Sequence, residues 1–201
     1  MRANPTFQSN RFELKYLIDE DRASAVRGYV LGQLRPDPYM KPASPEGYMV
    51  YSVYLDSPGL DLCKATINGE KNRFKLRIRY YDAVPTNPVF FEIKRRVNDA
   101  IIKSRASVHR HAVSEILRGR AFREDDLINP GKFGAIEALS KFCELRKQIN
   151  AQPVTSVAYQ REAYSNMQDG SARVTMDRRL RGADWSNDFA DLGGSHWQPA
   201  Q

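Results

Sequence analysis

The sequence predicts an α+β fold, an antiparallel, barrel-like sheet of seven strands around a basic lumen, with helices packed outside. Two observations predict it. Residues 73–80 alternate without a break, with Arg73, Lys75, Arg77 and Arg79 on one parity and Phe74, Leu76, Ile78 and Tyr80 on the other. Successive strand side chains point to opposite faces, so one face of this strand is cationic and the other apolar. The second observation is recurrence: six of the seven predicted strands carry cations at alternate positions, and a sheet built from them can close with those cations inside.

Taken in order, residues 11–18 alternate Arg11, Glu13 and Lys15 against Phe12, Leu14, Tyr16 and Ile18, which predicts a strand with a charged face of both signs. Asp19, Glu20 and Asp21 start a helix, since acids favour the first turn. Its apolar stripe is Val26, Tyr29, Val30 and Leu34, and it ends before Pro36. Residues 36–47 read as a Pro-rich loop and 48–55 as a strand. A turn at Asp56-Ser57-Pro58-Gly59 leads into a short helix over 60–68.

The strand at 73–80 opens a meander. A turn at 85–88 precedes V-F-F-E-I-K-R-R, which puts Glu92 and Lys94 on one face. Asn98-Asp99 turns the chain into I-I-K-S-R, where Lys103 and Arg105 share a face. Residues 114–118 read as a short helix. Phe133, Ile136, Leu139, Phe142 and Cys143 fall at helical spacing, so 132–149 is an amphipathic helix lying on the sheet. A last hairpin pairs 155–164 with 172–179 around Asp169-Gly170, with Arg161, Arg173 and Asp177 on its charged parity. From Gly182 the pattern stops, which divides the chain into a domain over 1–181 and a polar, poorly ordered tail over 182–201.

The charge pattern restricts function. An antiparallel sheet ordinarily has one wet face, but a wet face mixes signs, and residues 73–79 do not. Neighbours on one face lie roughly 7 Å apart, where two cations repel by about 2.4 kcal/mol at an effective dielectric of 20 and about 0.6 in bulk water. A polyanion against the row removes that cost, and arginine forks match phosphate oxygens. The net charge of +7 and pI near 9.5 also call for an anionic partner. With 201 residues, 41% hydrophobic, the chain can bury a real core. No apolar run approaches the roughly 18 residues of a membrane span. No secretory signal opens the chain, and Cys63 and Cys143 read as buried thiols, so a cytoplasmic location is expected. His109 and His111 lack the partners of a metal site.

The motifs that carry these charges resemble a known family. They are E-L-K-Y at 13–16, S-V-Y-L-D-S at 52–57, R-F-K-L-R-I-R-Y-Y at 73–81, F-E-I-K at 91–94, K-S-R at 103–105, Y-Q-R-E-A-Y at 159–164 and A-R-V-T-M-D-R at 172–178. In this order they resemble the VTC domain, the polyphosphate polymerase domain of the triphosphate tunnel metalloenzyme superfamily. The resemblance implies an eight-stranded antiparallel tunnel that binds a triphosphate with Mg²⁺ or Mn²⁺, and transfer of the ATP γ-phosphate to a growing polyphosphate. Lys15, Arg77, Arg79, Lys94, Lys103, Arg161 and Arg173 match its phosphate-binding positions. Among them Arg77, Arg79, Lys94 and Lys103 form the catalytic group around the transferred phosphoryl. Arg73, Lys75 and Arg105 share the charged parity and extend the substrate-binding set. Glu13 and Glu92, of the same parity, bear on the metal or on neighbouring cations.

The chain departs from the family pattern at its end. Nothing after Arg181 matches the family's Glu-x-Lys strand or its Ser-Lys-Tyr element, so an eighth strand is missing from the reading and reduced activity is expected. Three functions stay open: a polyphosphate polymerase, a hydrolase of another triphosphate, and a non-catalytic polyanion-binding module. Nucleic acid is not the expected partner, because Phe74, Tyr80 and Phe91 lie off the cationic parity that a stacking platform would share.

Overall fold

The computed structural model describes residues 13–40, 46–166, 172–185 and 197–199. One antiparallel sheet of eight strands organises them, in the order β5-β4-β3-β2-β6-β7-β8, with β1 paired to β6 off that path. Six strands are long: β2 Tyr48–Asp56, β3 Asn72–Tyr80, β4 Val89–Val97, β5 Ala100–Val108, β6 Gln152–Ser165 and β7 Arg173–Asp184. Two have only two residues, β1 Arg35–Pro36 and β8 Gln198–Pro199. Among the described residues, strand pairing runs from β5 to β8 without joining the two ends, so the closed barrel expected from the sequence is not what the pairing shows.

Among the described residues four α-helices accompany the sheet: α1 Glu20–Leu31, α2 Asp61–Ile67, α3 Arg110–Leu117 and α4 Ala135–Gln148. Asp19 caps α1 by accepting from the Arg22 amide, as the acidic opening predicts. The turn after β2 is tied by Asp56, whose carboxylate accepts from the amides of Ser57, Leu62 and Cys63 and so starts α2. The second half of the S-V-Y-L-D-S motif is therefore structural.

The main core lies between one face of the sheet and α3 and α4. Leu76, Ile78, Phe91, Val108, Val113, Leu139 and Phe142 are 0–1% exposed there, and the Phe91 and Phe142 rings meet edge to face at 4.9 Å. Burying each such side chain fully contributes about 1.5–3 kcal/mol. A smaller cluster of Ala23, Val30, Tyr164 and Met176 seats α1 against β6 and β7. Beneath it the buried Glu162 accepts from Arg27 at 2.7 and 2.9 Å and from the Tyr164 hydroxyl at 2.9 Å, and Arg178 contacts it too.

Several expectations need correction. Of the strand expected at 11–18, residues 13–18 form none, and Leu14, Tyr16 and Leu17 are exposed. Alternation sets which face a residue takes but supplies no ladder partner, and an unpaired strand leaves its backbone groups unsatisfied. Only Val30 of the α1 stripe is buried, with Val26 and Tyr29 exposed, and Phe133 stands 98% exposed ahead of α4. Cys63 is exposed rather than buried. The short helix read at 114–118 begins at Arg110, with His109 as its cap residue. Of the tail read at 182–201, residues 182–184 continue β7, Trp197 is buried against Tyr51 and Gln198–Pro199 form β8; residues 186–196 and 200–201, like Asp169-Gly170, lie outside the described residues.

Candidate functional site

The register of the meander decides which charged residues meet. Directly paired residues of an antiparallel ladder point to the same face. On β3, β4 and β5, Lys75, Lys94 and Lys103 pair in one row, and Arg77, Glu92 and Arg105 in the next. Arg73 pairs with Arg96, and Arg79 with Phe90. Across β2 the Arg79 row continues to Ser52 and the Arg77 row to Tyr54. On β6 and β7, Arg161 pairs with Asp177 and Ser165 with Arg173. The two ladders therefore put Arg73, Lys75, Arg77, Arg79, Glu92, Lys94, Lys103, Arg105, Arg161 and Arg173 on one face, opposite the core.

Glu92 is the anionic centre of that face. One oxygen accepts from Arg77 Nε at 2.7 Å and lies 4.0 Å from Arg79 Nη1. The other lies 2.8 Å from Lys103 Nζ and 3.4 Å from Arg105 Nε. Its side chain is 1% exposed, though it points away from the helices. Burial alone would raise its pKa, but Arg77, Lys103 and Arg79 outweigh that and hold it at about 2. At an effective dielectric of 20, each attraction at 4 Å contributes about 4 kcal/mol, against about 2.4 for two cations 7 Å apart.

The cations around it are crowded. Burial lowers the Lys103 pKa, with Glu92 opposing and Arg105 and Arg77 adding to the fall. Burial also lowers that of Lys75; Tyr54 counters it, while Lys94, Lys15 and Arg73 reinforce it. Tyr54 answers in kind: burial would raise its pKa, yet Arg77, Arg79 and Lys75 carry it below the ordinary phenol value. Arg79 is held from the β2 and β6 side, donating to Ser52 Oγ at 3.3 Å and to the Tyr159 hydroxyl at 3.2 Å. A cluster of half-buried, mutually repelling cations is the electrostatic character of an anion site.

The outer members differ. Arg161 forks onto Asp177 with two bonds of 2.7 Å, which together with Tyr159 raises its pKa against the effect of burial. Arg173 donates to Asp37 at 2.8 Å. Lys15 is not on a strand; its exposed ammonium lies 3.7 Å from Glu13, and Glu13 accepts from Lys94 at 3.0 Å. Glu13 thus reaches the face through Lys94, while Lys15 is not brought into the rows.

Ser52, Tyr54, Tyr159 and Asp37 were missed by the sequence reading. The parity of 48–55 carried a signal for Ser52 and Tyr54, which alternate with the buried Tyr51, Val53 and Leu55. The aromatic argument also changes, because Phe90 and Tyr159 do share the cationic face. Their rings are taken, however: the Arg105 guanidinium lies 3.4 Å over Phe90 and that of Arg161 5.0 Å over Tyr159.

A divalent cation needs several oxygen ligands, and the carboxylates of this face do not fit one as they stand. Glu92 is enclosed by four cationic side chains, and Glu13 is engaged by Lys94 and Lys15. Among the described residues, no three His, Cys, Asp or Glu side chains gather as metal ligands. No helix among them is long and apolar enough to cross a membrane.

A crystal structure of a Bacillus halodurans protein, described as a candidate adenylate cyclase, aligns with a TM-score of 0.49 at 12% identity over 83% of this chain and 70% of that one. The family model of the VTC domain matches residues 10–198, past the boundary drawn at 181. That match spans nearly the whole sequence, and the chain belongs to the VTC domain family.

Proposed function

We propose that the cationic face binds a triphosphate or polyphosphate in a tunnel-like groove and transfers the γ-phosphate of ATP to the end of a polyphosphate chain. The observation that carries this reading is the pair of adjacent rows, Lys75–Lys94–Lys103 and Arg77–Glu92–Arg105, aligned across three strands on the face away from the helices. Three strands span about 10 Å, so one row can meet successive phosphates of a linear chain.

In this mechanism a terminal oxygen of the polyphosphate forms a bond to the γ-phosphorus, the bond from that phosphorus to the β,γ-bridging oxygen breaks, and ADP leaves with the electron pair. Such transfer depends on positioning and charge neutralisation rather than on a strong base. Arg77 and Arg79 orient non-bridging oxygens. Lys94 and Lys103 neutralise charge that spreads over the transferred group. Arg73, Lys75 and Arg105 hold the adjoining phosphates, and Arg161, Arg173 and Lys15 extend the path. Mn²⁺ or Mg²⁺ enters with the nucleotide as part of the substrate. A cytoplasmic location, where ATP is supplied, belongs to the same proposal.

The test incubates the chain with ATP and Mn²⁺ and follows polyphosphate by gel and orthophosphate by colorimetry. Polymer accumulation supports the polymerase. Orthophosphate release from tripolyphosphate without polymer assigns the hydrolase instead. Tight tripolyphosphate binding with neither product leaves a binding module, a reading favoured by the Asp177 and Asp37 pairs that already neutralise Arg161 and Arg173.

A further inference from the structure

We infer that Glu92 is a positioning residue and not a metal ligand: an internal counter-anion that aims Arg77, Arg79, Lys103 and Arg105 at a phosphate lying on the same face. The inference rests on the polyanion-binding reading above and deepens it.

The geometry is two-sided. Glu92 sits on β4, the middle strand of the meander, and each neighbouring strand supplies one direct and one diagonal cation. Arg77 and Arg79 come from β3, and Arg105 and Lys103 from β5. Oε2 takes the β3 pair and Oε1 the β5 pair. The carboxylate therefore fixes both sides at once. Arg77 engages it through Nε, at 2.7 Å. Arg77 also meets the Tyr54 side chain, and its two terminal nitrogens are the ones suited to phosphate oxygens.

The charge balance supports the same role. Four cations and one carboxylate leave the cluster strongly positive, so Glu92 does not abolish its attraction for anions. Without Glu92, four flexible cations would repel one another and spread, and ordering them would fall to the ligand. A divalent ion at Glu92 would have to displace the same four groups. Each oxygen of Glu92 thus already faces two of the cations.

The experiment separates three roles by sign. Tripolyphosphate binding is measured by calorimetry, once in EDTA and once with Mn²⁺, for the wild type, Glu92→Gln and Glu92→Asp, with thermal melts alongside. Positioning predicts that Glu92→Gln binds at least tenfold more weakly although it gains net positive charge, and that Glu92→Asp recovers most of the loss. Tighter binding by a folded Glu92→Gln overturns the inference, because Glu92 would then act only as a repelling charge. A loss that appears only when Mn²⁺ is supplied overturns it in favour of a metal ligand.

A second arm uses the wild type alone, and so does not depend on the variants folding. Mn²⁺ without phosphate is titrated while the Arg77 and Arg105 Nε–H signals are followed by nitrogen-15 NMR. Those signals should keep their width. Broadening of these two signals at lower Mn²⁺ than the other arginine side chains of the face places the ion at Glu92 and refutes the inference. If the wild type fails to bind tripolyphosphate, the proposed function falls, while this arm still decides the role of Glu92.

Discussion

Arg161 and Asp177 are direct partners across β6 and β7, and the guanidinium of the first forks onto the carboxylate of the second through two bonds of 2.7 Å. Arg161 is therefore already matched to a planar anion of the shape it would offer a phosphate. Asp177 is 39% exposed, so the pair sits at the rim of the cationic face rather than inside it. Binding an outer phosphate at Arg161 must displace that carboxylate or work around it.

From this follows a gain-of-affinity variant. Asp177→Asn removes the competing charge while keeping the side chain's shape, and should tighten tripolyphosphate binding by about twofold to fivefold, the scale of a partly exposed ion pair. The gain should shrink as salt is raised, since rim charges are screened. Calorimetry at two salt concentrations checks both. Weaker binding by Asp177→Asn would mean that Asp177 holds Arg161 in place, as Glu92 holds Arg77.

Arg77 is the cation with the most to lose. It is largely buried, bonds to Glu92 and lies beside Tyr54. Arg77→Ala should weaken tripolyphosphate binding by about 1.5–3 kcal/mol, the scale of a charge-assisted hydrogen bond. It should also lower the melting temperature, because Glu92 is left buried with one partner fewer. Unchanged affinity in a folded Arg77→Ala variant would remove Arg77 from the site.

Glu92 gives the fold an acid-side signature. Its pKa is about 2 in the folded chain against an ordinary value of 4.5. A depressed folded value contributes stability above the unfolded pKa, which is lost as pH falls from about 4.5 toward 2; the shift amounts to on the order of 3 kcal/mol. Glu92→Gln lacks that contribution. The stability gap between wild type and Glu92→Gln, measured by urea unfolding, should therefore narrow steadily below pH 4.5. A gap that stays constant to pH 3 would show that the carboxylate is not held low.

Much of this arrangement was legible in the sequence. Alternation put the charged residues of β3, β4 and β5 on one face, and the structure keeps them there. Their neighbours were partly legible too. The two-residue turn at Asn98-Asp99 pairs Val97 with Ala100, and counting outward from it sets Glu92 against Arg105. The link between Arg77 and Glu92 was not, because an eight-residue connection fixes no register. Asp37 was also hidden: it meets Arg173 from 136 residues away. The segment at 13–18 misled for the converse reason, since its period is that of a strand but the fold offers it no ladder.

A backbone contact also fixes the rim. Gly47 has φ of 96°, and a Cβ there would stand 2.0 Å from the Arg161 carbonyl oxygen. Gly47→Ala thus meets both an unfavourable dihedral and a clash with β6 backbone. It should lower the melting temperature and weaken tripolyphosphate binding together, because Arg161 moves with its strand. A variant as stable as the wild type would show that the loop before β2 yields without disturbing β6.

The last prediction concerns which polyanion the face selects. The Lys75–Lys94–Lys103 row spans three strands, and the Arg77–Glu92–Arg105 row runs beside it about 7 Å away. Orthophosphate can meet only part of one row, whereas tripolyphosphate can engage all three lysines and reach the arginines. Each added charge-assisted contact contributes about 1.5–3 kcal/mol, so tripolyphosphate should bind at least a hundredfold more tightly than orthophosphate. Duplex DNA offers phosphates on a rod too wide to lie against a row so recessed that the Arg77 side chain is 14% exposed and that of Arg79 8%. Single strands need free aromatic platforms, and Phe90 and Tyr159 are already covered by Arg105 and Arg161. Competition calorimetry with orthophosphate, tripolyphosphate, duplex DNA and oligothymidylate ranks them directly. Equal affinity for orthophosphate and tripolyphosphate would reject a chain-reading site, and displacement of tripolyphosphate by oligothymidylate would show that the arginines yield their rings to bases.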